Sequence, residues 1–274
     1  MHPGRRAPAQ ARSLLASLSR ILLLAVMLQA PARAAPPETD ARPGDLSVAV
    51  LCYHRFGPVV ADSMTTRTSV FDAQLTWLQQ NGAHIIPLRA LVDYLAGSGP
   101  APAPRSVVIT VDDGHHTVFS EMLPVIERHD VPVTLFIYPS AISNASYALT
   151  WDQLRTLRAN KNVDVQSHTY WHPNFDRERK RLSAAEFAAF ADNQLRRSKS
   201  RLEQEVPGPI DLLAWPFGIS GQDVQMQARQ AGYTAAFSIV RRRVAKGDDM
   251  LALPRFLMSD QDGTGALRAI VGAQ

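Results

Sequence analysis

The chain has 274 residues, with 29 Lys and Arg against 25 Asp and Glu, for a net charge of +4. Residues 1–34 hold five arginines and no acid, so the rest carries 24 basic and 25 acidic residues, net −1, which argues against a nucleic-acid partner. One cysteine, Cys52, excludes an internal disulfide and fits an exported bacterial protein that relies on its core.

From Met1 to about Ala35, four early arginines (5, 6, 12 and 20) precede the apolar run Ile21–Leu28, then Ala32-Arg33-Ala34. The run is too short for a comfortable membrane span, and small residues stand where a signal peptidase cuts. This predicts a signal peptide over residues 1–35, no stable membrane span after its removal, and a periplasmic or extracellular location. Residues 36–274 then form one domain, read as a monomer.

Ser47–Tyr53 reads as a buried strand that delivers His54-Arg55-Phe56-Gly57. Phe71, Leu75 and Leu78 have helical spacing, and Asn81-Gly82 is a stop. A short strand near Ile85-Ile86, a helix over 88–96 and a proline-rich loop to Arg105 follow. The β-branched run Val107–Val111 ends in Asp112-Asp113-Gly114. Beyond it the pattern predicts a helix over 117–129, a strand over 133–138, a helix opening at Thr150 and a strand over 163–166. Ser183 and Glu186 form a capping box for a helix reaching about Glu205. The charged face of that helix, with Arg196, Arg197, Lys199 and Arg201, reads as solvated surface. Strands near 211–215 and 235–238 flank a helix over 222–231. Such alternation predicts an α/β fold whose parallel strands close, or nearly close, into a barrel.

The chemistry gathers at two strand ends. Side chains alternate along a strand, so Asp112 and Asp113 can serve different tasks, one binding a metal while the other takes a proton. Gly114 permits a sharp turn after them. His168 and His172 lie four apart after a buried strand, so one tight turn can aim both imidazoles the same way. Two histidines and a carboxylate make a three-ligand site with positions left open. His115 and His116 read as loop or helix-start residues, and His84 and His129 as surface or element-end residues.

Thr110-Val111-Asp112-Asp113-Gly114, Ser167-His168-Thr169-Tyr170-Trp171-His172-Pro173 and Trp215-Pro216-Phe217-Gly218 together resemble the three motifs of the polysaccharide deacetylase family. These are metal-dependent carbohydrate esterases that remove N-acetyl groups from sugars. The resemblance runs from about Val48 to Phe256. It implies a distorted (β/α) barrel of about seven parallel strands, a catalytic domain over residues 36–274, and an N-acetylated glycan as partner. Asp113, His168 and His172 would hold one divalent metal, zinc first, with Co2+, Ni2+ or Fe2+ as alternatives. Asp112 would be the general base.

The chain departs from the common family pattern twice. The arginine that often precedes the third motif is missing, and no histidine follows His172, so the usual C-terminal acid is absent. Tyr53-His54 instead matches the branch acting on poly-N-acetylglucosamine, where the motif order is permuted and an N-terminal histidine is the acid. Arg255, in Leu253-Pro254-Arg255-Phe256, is the candidate replacement for the missing arginine and is grouped with the substrate-binding residues. There it joins Tyr170, whose N–H would bind the oxyanion, and Trp171, Trp215 and Phe217 as sugar-stacking walls. The implied function is N-deacetylation of an N-acetylglucosamine-containing exopolysaccharide or cell-wall glycan by metal-activated water. The alternatives are a non-catalytic carbohydrate-binding relative and a deacetylase of another acetylated small sugar. An iron oxygenase with two histidines and one carboxylate shares the ligand set, but its usual all-β fold does not match this alternation.

Overall fold

Long β-branched runs separated by amphipathic helices build a curled mixed sheet with helices on its outer side. The computed structural model describes residues 46–272, so the expected signal peptide lies outside the described residues. The sheet contains β1 (Ser47–Tyr53), β4 (His84–Ile85), β5 (Ser106–Asp113), β6 (Val133–Ile137) and β7 (Val163–Ser167). It continues with β8 (Leu212–Ala214), β9 (Ala235–Phe237), β10 (Val244–Ala245) and β11 (Phe256–Leu257). A separate parallel ribbon joins β2 (Arg55–Gly57) to β3 (Thr65–Arg67).

The main path runs β10-β1-β5-β6-β7-β8-β9, with β11 on β1 and β4 on β5. Every pairing is parallel except β10 with β1, so the expected parallel strands are present and a single two-residue strand makes the sheet mixed. The segment after β10 reaches from one sheet edge to the other. Leu253 bridges to Phe237 on β9, while Phe256 and Leu257 pair with Leu51 and Cys52 on β1. That segment carries Arg255 across the barrel seam.

Strand alternation divides the core. Ala49, Leu51, Val107, Ile109, Leu135 and Ile137 face the helices, whereas Val48, Val50, Val108, Phe136 and Ala214 form an inner cluster. The helices are α1 (Thr68–Gln80), α2 (Leu88–Leu95), α3 (Leu123–His129), α4 (Trp151–Ala159), α5 (Phe175–Arg181), α6 (Ala184–Glu205), α7 (Gln222–Gln230) and α8 (Thr264–Val271). The capping box at Ser183 and Glu186 is formed, and Thr150 with Gln153 makes another at the start of α4. The helix expected over 117–129 begins as a π-helical turn, Val118–Met122. Pro124, lacking an N–H, sits where the α ladder resumes. The ribbon, α5, β10, β11 and α8 were not anticipated. The strands among them are two or three residues long, too short to show a period.

Candidate active site

Register places the first group of side chains. Cys52 on β1 pairs with Thr110 on β5, and two residues further along the same inner rows stand His54 and Asp112. Asp112 is buried, and Arg255 grips it from the seam segment: Nη1 donates to Oδ1 at 2.8 Å and Nη2 to Oδ2 at 2.7 Å. The guanidinium is itself held, donating from Nε to the Ser238 carbonyl at 3.0 Å and from Nη1 to Thr110 Oγ1 at 3.1 Å. Burial alone would raise the Asp112 pKa, but the charge of Arg255, with His168 and His54 nearby, holds it far below the ordinary carboxylate range. The Cys52 thiol donates to Asp112 Oδ2 at 3.4 Å. His54 brings a ring nitrogen within 4.8 Å of both Asp112 and Cys52. Burial lowers the His54 pKa, while Asp112 and Asp113 oppose that shift.

The neighbouring carboxylate is treated differently. Asp113 has φ 75°, which turns its side chain out of the helix-facing row that strict alternation would give it. His168 Nε2 and His172 Nε2 each lie 3.6 Å from Asp113 Oδ1. His168 Nδ1 donates to the Ala214 carbonyl at 2.8 Å, which leaves the Nε2 lone pair facing the carboxylate. Asp113 Oδ1 is buried and has no hydrogen-bond partner. An orphaned carboxylate oxygen facing two imidazole nitrogens is costly unless a cation joins them. One oxygen and two nitrogen donors suit zinc or a neighbouring divalent transition metal, so these residues fit one.

The turns that aim these groups are strained. Seven described non-glycine residues have positive φ, and four of them (Asp113, Thr169, His172 and Phe217) are in or beside this cluster. Gly114, at φ 78°, adopts a backbone conformation that strains any side chain, and a Cβ there would also press on the Ile137 Cδ1 methyl at 2.9 Å. The ring of Phe217 stands edge-on to His172 with centroids 4.6 Å apart.

A profile of the polysaccharide deacetylase family matches residues 99–236, half of the chain. The chain belongs to the polysaccharide deacetylase family. Over 194 residues it is 24% identical to the poly-beta-1,6-N-acetyl-D-glucosamine N-deacetylase of Staphylococcus epidermidis, covering 69% of this chain and 66% of that relative, just under two thirds of its length. The enzyme of the same name from Staphylococcus aureus is also 24% identical, over 70% of this chain and 67% of its own. The fold is similar to that of Streptococcus pyogenes deacetylase PplD in complex with acetate (TM-score 0.74, 17% identity, 83% of this chain and 99% of that one). It is also similar to IcaB from Ammonifex degensii (TM-score 0.71, 22% identity, 84% and 98%).

Not every residue singled out from the sequence lines the site. Trp215 is wholly buried, its indole N–H donating to the Leu251 carbonyl at 2.7 Å and its ring edge-on to Phe175, so it is core and not a sugar wall. Arg255 is also wholly buried, and both ends of its fork are taken by Asp112. It orients the carboxylate and cannot touch a glycan. Trp171 and Phe217 are exposed, at 43% and 54%. The Tyr170 side chain turns away into a separate cavity, although its backbone N–H has no acceptor among the described residues. His115 bonds Thr117 Oγ1 through Nδ1 at 2.9 Å and stacks near His116, away from the metal-ligand cluster. The sequence reading missed Cys52, Thr110 and Ser238 as site residues. Period-two register with His54 and Asp112 was the signal that would have found the first two. His54 and Arg255 both lie outside the stretch that the family profile matches.

Proposed function

We propose that this deacetylase is an exported, metal-dependent enzyme that removes N-acetyl groups from an N-acetylglucosamine-containing polysaccharide. One observation carries the reading: adjacent carboxylates are placed in opposite environments. Asp112 is locked in an arginine fork as an ionised base, while Asp113 faces two imidazoles with an oxygen left bare. Two carboxylates whose surroundings differ this much take different roles. The first part, polysaccharide, is what the family name supports, and the glycan is the one named for the staphylococcal relatives.

Asp113, His168 and His172 would hold one divalent cation, zinc first by donor type. Such a cation acidifies water and polarises a carbonyl. Asp112 accepts the proton of the attacking water, and Arg255 keeps the carboxylate ionised and fixed in direction for that transfer. The free Tyr170 N–H is available to the oxygen that becomes negative as the acetyl carbon turns tetrahedral. His54 gives its proton to the departing amine, without which the nitrogen is a very poor leaving group. Trp171 and Phe217 offer exposed rings on which sugar faces can stack.

The test is acetate release, with zinc supplied, from β-1,6-linked N-acetylglucosamine polymer, chitooligosaccharide and peptidoglycan. The β-1,6-linked polymer is expected to be the best substrate. Release from none of the three would sink the reading. The signal peptide over residues 1–35 belongs to the same proposal, supported by composition alone, and N-terminal sequencing of the exported protein checks it.

A further inference from the structure

The face of α6 that reads as solvated surface in sequence contains one arginine with a different setting. Arg196 pairs with Asp192 at 2.7 Å, and Arg201 with Glu205 at 2.7 Å. Among the described residues Arg197 has neither a carboxylate nor a hydrogen-bond partner. Its guanidinium lies 3.9 Å from the centroid of the Tyr170 ring. Arg201, one turn on, sits 5.0 Å from the Trp151 ring. These four side chains, with Asn144 and Ser200, line a cavity of ≈ 460 Å³.

A guanidinium stacked on an aromatic face keeps the N–H groups of its edge free, and in that orientation they form a planar fork. The stack also holds the long side chain in place, so less freedom is lost when something binds. Two arginines and a serine hydroxyl then present donors, while Glu205 is already shared by Arg201 and Arg155. The balance is positive and rich in donors, which selects a carboxylate or phosphate oxyanion over a neutral sugar. Tyr170 connects this cavity to the catalytic loop: it stands between His168 and His172 in sequence, and its carbonyl accepts from Ser140 N at 3.0 Å.

We propose that this cavity is a second binding site, for an oxyanion, carboxylate or phosphate, with Arg197 as its anchor, and this does not rest on the deacetylase reading above.

The experiment follows the Trp151 indole N–H of the purified protein by nuclear magnetic resonance, the signal being assigned with Trp151→Phe. Glucuronate, inorganic phosphate and neutral N-acetylglucosamine are titrated separately. A saturable shift with either anion is expected, and the arm that responds identifies a carboxylate or a phosphate source. Arg197→Gln, on an exposed helical position, should weaken that binding about tenfold or more, as loss of a charge-assisted pair does. Arg197→Lys should recover only part of it, having charge but no planar fork. No saturable shift with either anion, a shift with N-acetylglucosamine alone, or equal affinity in Arg197→Gln would overturn the proposal. Acetate release is measured separately on the same samples. A protein that binds the anion but releases no acetate sinks the deacetylase reading and leaves the oxyanion site standing. An active enzyme that binds no anion does the reverse.

Discussion

Arg255 holds both oxygens of Asp112 from 143 residues further along the chain, at 2.8 and 2.7 Å, with neither side chain open to solvent. Removing one partner of such a pair strands the other charge. Arg255→Ala is therefore expected to lower stability by about 3–5 kcal/mol. Arg255→Lys keeps the charge and loses the two-point geometry, so kcat should fall about tenfold or more with a smaller loss of stability. Denaturant unfolding and acetate-release kinetics check both. Wild-type kcat in Arg255→Lys would refute the orienting role.

The proposed ligands and the proposed base separate by metal content. His168→Ala or His172→Ala should lose most bound metal and activity while the barrel stays folded. Asp112→Asn should retain metal and lose turnover, because it removes a base and not a ligand. Elemental analysis beside circular dichroism distinguishes them. Stoichiometric metal in either histidine variant would end the ligand assignment.

A leaving-group test isolates His54. As the general acid, its replacement by Ala should slow amide hydrolysis by roughly 10²-fold or more. An aryl acetate, whose leaving group departs without a proton, should be hydrolysed nearly as well as before. Equal losses on the two substrates would make His54 a support for the fold or the metal. No loss on the amide would move the search for the acid to His115 or His116.

Trp215 and Phe217 are two residues apart and should fail in different ways. Trp215→Phe removes the buried indole donor to the Leu251 carbonyl and part of a packed ring, so stability should drop by about 1–3 kcal/mol. Phe217→Ala strips an exposed ring and should raise KM for the polymer with little change in melting temperature. Calorimetry and kinetics on both variants provide the comparison. A melting temperature unchanged in Trp215→Phe would contradict its place in the core.

Acid sensitivity has a contributor away from the site. Burial of Asp211 raises its pKa, but Arg89, donating from Nη1 to Oδ2 at 2.8 Å, prevails and holds it below the ordinary value. A depressed carboxyl pKa stabilises the fold fully above the unfolded pKa, about 3.9, and that stabilisation is lost as pH falls through the folded value. The stability gap between wild type and Asp211→Asn should be flat above about pH 5 and should shrink on acidification below about pH 4. Unfolding curves across that range measure it. A gap that widens toward acid would reverse the sign and refute the pairing.

The local patterns carried much of this protein. Strand-helix alternation was enough for an α/β barrel, and the buried runs at Ser47–Tyr53 and Val107–Val111 were enough for its first and central strands, because those periods arise from neighbours in the chain. Asp112, Asp113, His168 and His172 could be read together, since each stands at the end of such a run. Other features depend on contacts distant in sequence. Trp215 and Phe217 share one motif, yet one is sealed by the Leu251 carbonyl while the other, at φ 57°, faces solvent. Their pattern cannot express that difference. Arg255 could be suspected from sequence, but its burial in the Asp112 fork follows only from the short β11, which carries the seam segment against β1. Cys52 is ordinary until register sets it opposite Thr110 and under Asp112. Arg197 reads as one more surface charge until α6 packs it on Tyr170. In each case the deciding neighbour is brought close by folding, so its effect leaves no period or spacing in the sequence.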